Sequence, residues 1–275
     1  MRDFLVAVGQ WPVAREKEPN IERAERFLAE AARAGAALCV LPEMFQTPYE
    51  LEAMRAGAEE EDGPTLSRLR ASAARFGLHV VAGSFAERRG DAIYNSSFVL
   101  GPSGEILGVH RKIHLFDVAL EDVTVEESRV FSPGREPLAL ELPFCRLGVA
   151  ICYDVRFPAL FRHFEARGVE VVAVPAAFSR TTGRAHWHPI LRARAIESQV
   201  YLAAASPAPD EASGYVAYGH SLVVDPWGDV LAEAGEGEEG IAAHLSAARL
   251  EKVRRELPLL RHRREDLYRE WPSRS

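Results

Sequence analysis

The chain has 275 residues, 47% of them hydrophobic and 27% charged, with a formal net charge of −7. That composition can bury a large core of a size that α/β architectures often reach as one domain, and the acidic balance argues against nucleic acid or an anionic membrane surface as a partner. No apolar run approaches the roughly 20 residues of a membrane span, the N-terminal "MRDFLVAVGQWPV" lacks the longer apolar stretch and cleavage site of a signal peptide, and the cysteine spacing gives no disulfide framework, so a reducing cytosol is the expected compartment.

The first apolar run reads as a strand. Asn20 is placed as an N-cap for a helix in which Ile21, Ala24, Phe27, Leu28 and Ala31 share a face, and Gly35 stops it. "ALCVL" (37–41) reads as a buried strand ended by Pro42, and residues 64–77 as a helix with Pro64 in its first turn and Gly77 at its close. A strand over 78–85 and a hairpin over 95–112, turning at Pro102-Ser103-Gly104, follow. The polar stretch 117–129 has no clear period and reads as a loop. Next come a strand (146–152), a helix (158–168), a strand (169–175), a helix (187–199), a strand (200–206) and a hairpin (219–235) turning at Asp225-Pro226-Trp227-Gly228. The last forty residues alternate basic and acidic side chains and read as helical, broken at Pro258. Strands alternating with helices predict mixed sheets covered by helices. No Ser/Gly-rich linker divides the chain, so one domain over 1–275 is expected.

Two segments echo each other. "AARAGAALCVLPE" (31–43) and "FEARGVEVVAVPA" (164–176) each run from a helix end through a glycine and a buried strand to a proline. Where the second has Ala176, the first has Glu43. Strand ends in α/β sheets are where sites are built, and a carboxylate at the rim of an apolar sheet has a raised pKa that suits a general base. From position alone Glu43 fits a solvated loop residue equally well. Lys112 follows a strand in "VHRKIHLF" and alone reads as a surface lysine. Cys152 ends the run "GVAIC"; a buried core thiol is the commonest fate of a free cysteine, but the following Tyr153-Asp154-Val155-Arg156 is not core-like. Cys39, within a strand, and Cys145, beside Pro143 and Phe144, fit the core reading better. His186 and His188, two apart, do not share a helix face and have no Cys or acidic neighbour for a zinc site. His110 and His114 flank Lys112 and read as packing or hydrogen-bonding residues. The basic run "RRELPLLRHRRED" is interleaved with acids and leucines and reads as a solvated helix face.

Taken together, Glu43 in "LPEMF", Lys112 in "HRKIHLF" and Cys152 in "CYDVRFP" resemble, in that order, the three motifs of the carbon–nitrogen hydrolase (nitrilase) superfamily, and Glu127 in "EESRVFSPG" matches its second, structural glutamate. The resemblance covers nearly the whole chain. Residues 181–208 and 215–235 most resemble the omega-amidases within it, with deaminated-glutathione amidases sharing much of the pattern. The segment 118–128 departs from the family pattern, in which relatives usually carry a glycine near its middle. The resemblance implies a four-layer α-β-β-α sandwich of two mixed β-sheets flanked by helices, a homodimer formed through helices of the second half, and no metal or organic cofactor. It also implies a small amide substrate and a thioester mechanism: Glu43 as base, Cys152 as nucleophile, Lys112 and the backbone N–H of Tyr153 as oxyanion donors, and Glu127 holding Lys112. Arg156, four residues after the nucleophile, is the candidate partner for a distal substrate carboxylate. The polar turn and the ammonium are expected to lower the thiol pKa. The rivals are nitrile or N-carbamoyl hydrolysis by the same residues, a catalytically silent interaction module, and a thiol redox sensor, the last weakened by the lack of a CxxC motif.

Overall fold

The computed structural model describes residues 1–120 and 123–268. In the first half, the order is β1 (Phe4–Gln10), α1 (Lys17–Arg33), β2 (Leu38–Val40), α2 (Leu51–Ala56), α3 (Pro64–Phe76), β3 (His79–Val81), β4 (Phe85–Arg89), β5 (Ala92–Leu100) and β6 (Ile106–Arg111). A short pair follows, β7 (Asp117–Ala119) and β8 (Thr124–Glu126). The second half contains β9 (Leu138–Glu141), β10 (Arg146–Val149), α4 (Pro158–Ala166), β11 (Val171–Pro175), α5 (Arg180–Ser198), β12 (Tyr201–Ala205), β13 (Leu222–Val224), β14 (Val230–Glu233), β15 (Glu239–Leu245), α6 (Ala247–Glu256) and α7 (Glu265–Tyr268). One mixed sheet runs β15-β1-β2-β3-β5, with β4 and β6 both on β5; the other runs β14-β13-β12-β11-β10-β9.

Side-chain alternation along the strands builds the layers. Val6 and Val8 of β1 face Val171 and Ala173 of β11 in a core between the two sheets, while Ala7 points the other way, to Phe27 and Leu28 of α1 and Leu69 of α3. Val172 and Val174 of β11 likewise turn outward to Phe164 of α4 and Trp187 and Leu191 of α5. The result is the α-β-β-α sandwich, and each fully buried valine contributes about 1.5–3 kcal/mol to it by leaving water. The echoed segments supply β2 and β11, which meet in the central layer: the Glu43 N–H donates to the Ala176 carbonyl at 3.4 Å. Among the described residues, no helix is long and apolar enough to cross a membrane.

Several expectations need correction. Helix α1 starts at Lys17, after Glu16, so Asn20 is not its cap. Asn20 is fully buried, and its side chain bonds the backbone of Ala14, Glu16 and Gln46, tying the helix to the segment after Glu43. The strand expected over 78–85 divides into β3 and β4 around Gly83, whose φ is +55°. The polar stretch 117–129 is not a loop but the β7–β8 hairpin, followed by a short 3-10 turn over Glu127–Arg129. The middle of the atypical segment 118–128, at 121 and 122, lies outside the described residues. Helix α5 begins at Arg180, seven residues before its expected start, because the Ser179 hydroxyl caps it by accepting from the Thr182 N–H at 3.3 Å. The last forty residues are not helical throughout: β15 pairs antiparallel with β1 along its whole length. That strand carries only two buried side chains, Ala243 and Leu245, so its apolar signal is weak, and its partner lies at the far end of the sequence.

Candidate active site

Glu43 sits at the tip of the turn that leaves β2. Met44 after it has φ +49°, an uncommon conformation for a residue with a side chain. The turn is braced from Gly83-Ser84: the Ser84 N–H donates to the Pro42 carbonyl at 3.1 Å and the Met44 N–H to Ser84 Oγ at 3.3 Å. A Cβ on Gly83 would stand 2.1 Å from that carbonyl, so only glycine allows the approach. Lys112 follows β6, its N–H donating to the Asn95 carbonyl and its carbonyl accepting from the Gly134 N–H, both at 2.8 Å. Cys152 lies three residues beyond the end of β10, opening a 3-10 turn over Cys152–Arg156 with φ +45°, rather than ending the strand itself. A non-glycine residue held there implies a surrounding structure that dictates its conformation.

Glu43, Lys112 and Glu127 are all fully buried and form one chain of contacts. Lys112 Nζ donates to Glu43 Oε1 and to Glu127, each at 2.9 Å. Glu127 Oε1 also accepts from the Tyr49 hydroxyl at 2.6 Å, and its Oε2 from the Phe116 N–H at 2.7 Å. Glu43 Oε1 accepts in addition from Asn95 Nδ2 at 2.9 Å, whereas Oε2 is buried with no hydrogen-bond partner among the described residues. The thiol of Cys152 is near enough to that carboxyl for each to perturb the other's protonation.

Burial raises the Glu43 pKa and the Glu127 charge adds to it, against the opposing pull of Lys112. Burial works against the Lys112 ammonium, but Glu127 and Glu43 overcome it and hold the group charged above the usual ammonium range. For Cys152 the expectation of a lowered pKa is wrong. Burial and the Glu43 carboxylate push the thiol well above its usual value, outweighing Lys112 and the Ala177 N–H. Cys152 is therefore held as a thiol beside the Glu43 carboxyl group, whose Oε2 has no hydrogen-bond partner among the described residues.

Glu43 opens on a small cavity of about 30 Å³, room for about one water molecule, lined among others by Met44, Tyr49, Ala177 and Tyr215. Tyr49 and Tyr215 stack with ring centroids 4.5 Å apart and also line an outer cleft of about 250 Å³ with Met54, Thr124 and Val125. Thr124 and Val125 bring the 118–128 segment to the rim of the site. The Tyr153 N–H belongs to the first turn of a 3-10 helix, where donors have no partner within the helix. Arg156 is not part of the inner lining. Its guanidinium lies 4.7 Å from the Phe178 ring centroid, donates to His186 Nδ1 at 3.1 Å, and acts electrostatically on the Tyr215 phenol. It has no carboxylate partner among the described residues. His188 turns away to Glu233 at 2.8 Å, so His186 and His188 do not converge. Among the described residues, no group of three or more His, Cys, Asp or Glu side chains could hold a metal.

Sequence reasoning passed over Asn95, Tyr49, Tyr215 and Asp154. Asp154, fully buried, accepts from His110 Nε2 at 2.9 Å, His114 Nδ1 at 2.7 Å and the Ile151 N–H at 3.0 Å. Burial alone would raise its pKa; those donors hold it well below the usual carboxylate range. The two histidines that flank Lys112 thus fasten its strand to the turn carrying Cys152. Their spacing around Lys112 was the one available signal. The three cysteines pack in three different layers, Cys39 outside the first sheet, Cys145 between the sheets and Cys152 outside the second, so none is placed to resolve another.

A family model for carbon–nitrogen hydrolases matches residues 5–255. The chain belongs to the carbon–nitrogen hydrolase (nitrilase) superfamily. It is 42% identical over 269 residues to the omega-amidase NIT2 of Danio rerio, covering 98% of this chain and 97% of that one. Against the omega-amidase NIT2 of Homo sapiens the identity is 40%, with 98% of each covered. The crystal structure of Saccharomyces cerevisiae Nit3, a member of branch 10 of the nitrilase superfamily, superposes with a TM-score of 0.87 at 36% identity, covering 96% of this chain and 97% of that one. A double mutant of the amidase from Nesterenkonia sp. AN1, solved in complex with acrylamide, gives 0.83 at 28% identity, covering 98% of this chain and 97% of that one. The chain is thus a carbon–nitrogen hydrolase, with the family's fold over nearly its whole length.

Proposed function

We propose that this carbon–nitrogen hydrolase cleaves the terminal amide of a small dicarboxylate monoamide, such as alpha-ketoglutaramate or succinamate, to acid and ammonia through a thioester on Cys152. The open Oε2 of Glu43 beside a protonated, buried thiol carries the reading. Glu43 takes the Cys152 proton as sulfur attacks the amide carbon. Lys112 and the Tyr153 N–H hold the oxyanion. The same proton passes from Glu43 to the departing nitrogen, ammonia leaves and the thioester remains. Water gives a proton to Glu43 as its oxygen attacks, the carbon–sulfur bond breaks, and the acid departs as the thiol regains its proton. A thiol that is not already ionised makes the base obligatory. The omega-amidase relatives at 40–42% identity support the choice of substrate, and the guanidinium of Arg156, which has no carboxylate partner among the described residues, is the cation offered to the distal carboxylate. We further propose a cytoplasmic homodimer: three free cysteines suit a reducing compartment, and the exposed apolar residues Ile196, Trp227, Val230 and Leu231 support a partner on the face of α5 and the β13–β14 hairpin.

Ammonia release tests the reaction. Succinamate should exceed butyramide in kcat/KM by about ten- to a hundredfold, the worth of one charge-assisted pair. Arg156→Ala should flatten that preference, and Cys152→Ala should release no ammonia. Equal rates for the two amides would remove the dicarboxylate reading, and turnover in Cys152→Ala would remove the thioester.

A further inference from the structure

We propose that Asn95 is a positioning residue for this reaction: its amide fixes one oxygen of the Glu43 carboxylate, leaving the other to exchange a proton with Cys152. The inference rests on Glu43 being the base. Asn95 lies on β5 and is fully buried. Its Nδ2 donates to Glu43 Oε1 at 2.9 Å, the oxygen that also accepts from Lys112. Its Oδ1 is buried and has no hydrogen-bond partner among the described residues. Among the described residues the side chain therefore makes one hydrogen bond, to the base. A buried amide half unsatisfied is unfavourable compared with an apolar residue of similar size, so stability of the strand does not account for it. The strand itself is held by backbone, with the Asn95 carbonyl accepting from the Lys112 N–H at 2.8 Å.

Lys112 cannot do this work alone. It is divided between Glu43 and Glu127 and is the group that must turn toward the developing oxyanion. When it does, Asn95 is the donor that remains on Oε1 and keeps the carboxyl from rotating. Being neutral, the amide holds the carboxylate without the strong acidifying pull that a second cation would exert.

The test is the pH dependence of kcat/KM, whose acid limb reports the base of the free enzyme. The charged and titratable groups facing Glu43 are Lys112 after β6, Glu127 after β8 and Cys152 after β10, with Tyr49 and Tyr215 beside them. None of these is altered by changes at Asn95. In Asn95→Ala, kcat should fall by about ten- to a hundredfold with KM within about twofold, the pattern of an interaction that matters in the transition state. The acid limb should move to higher pH, because the ionised carboxylate has lost a donor. Asn95→Asp, of the same shape, should move it further by setting a like charge beside Glu43. It also decides the matter if the alanine variant fails to fold. A lower active fraction with an unmoved limb would mean a structural role and overturn the inference, as would a wild-type limb in Asn95→Asp. Glu43→Gln separates the two levels. If it is inactive while the Asn95 limbs stay put, the positioning role alone falls; if it turns over like wild type, the base assignment falls and takes this inference with it.

Discussion

Glu43 and Glu127 reach the same lysine from unlike parts of the fold. Glu43 stands on the turn at the end of a central strand, braced by Gly83 and Ser84. Glu127 comes from the polar excursion after the β7–β8 hairpin. Both are fully buried and both lie 2.9 Å from Lys112. They differ in what is left over. Glu127 has donors on both oxygens, from Lys112, Tyr49 and Phe116, whereas Glu43 has Lys112 and Asn95 on Oε1 and, among the described residues, no hydrogen-bond partner on Oε2. A saturated carboxylate holds its neighbours in place; one with an open oxygen can take a proton. Burial and a lysine partner are therefore common to both, and under the proposed mechanism it is the unfilled lone pairs that set Glu43 apart as the base.

The widest difference should come from the matching amide substitutions. Glu43→Gln removes the proton acceptor and should lower kcat by on the order of 10³ or more, the range of a positioned general base together with the nucleophile it activates. A steady-state rate within tenfold of wild type would erase the distinction between the two glutamates. Glu127→Gln should cost about ten- to a hundredfold, since a charge-assisted hydrogen bond to Lys112 is weakened but no proton acceptor is lost. It should also shift the acid limb of kcat/KM in a defined direction. The Glu127 charge raises the Glu43 pKa, so removing it lets Lys112 act on Glu43 alone, the pKa falls and the limb moves to lower pH. This is opposite to the shift expected at Asn95, and a pH–rate profile reads both. The smallest change is Tyr49→Phe, which takes one of several donors from Glu127. About two- to tenfold in kcat is expected from a single neutral donor, and a loss as large as that of Glu43→Gln would place the phenol in the chemistry itself.

The same contrast separates what could be read along the chain from what could not. A buried apolar run closed by a proline, as in β2 and β11, is a local property, so the strands, prolines and the echo between 31–43 and 164–176 were legible, as were the Pro64 and Gly77 ends of α3. Failures occurred where local signal and tertiary pairing part company. The 117–129 stretch looked like a loop because its paired strands are three residues long with a single valine each, too short to show a period, and β15 was missed because its order derives from β1 on the far side of the sequence. Asn20 looked like a cap by residue type and proved to be a buried tie between two segments.

By itself the sequence singled out Glu43, Lys112, Cys152 and Glu127 as candidates, through motifs that resemble those of the family, together with the alternation of strands and helices that predicts mixed sheets covered by helices. Only the tertiary structure decided that these four meet, that Asn95 from a neighbouring strand takes up one oxygen of Glu43, and that Asp154 joins the lysine strand to the cysteine turn. It also reversed the sign of the thiol's pKa shift. An adjacent ammonium and a row of backbone N–H groups can be inferred from nearby residues, but desolvation depends on every atom packed around the sulfur, and the closeness of Glu43 depends on how the two sheets are stacked. Those are sums over the whole fold, and no local stretch of sequence contains them.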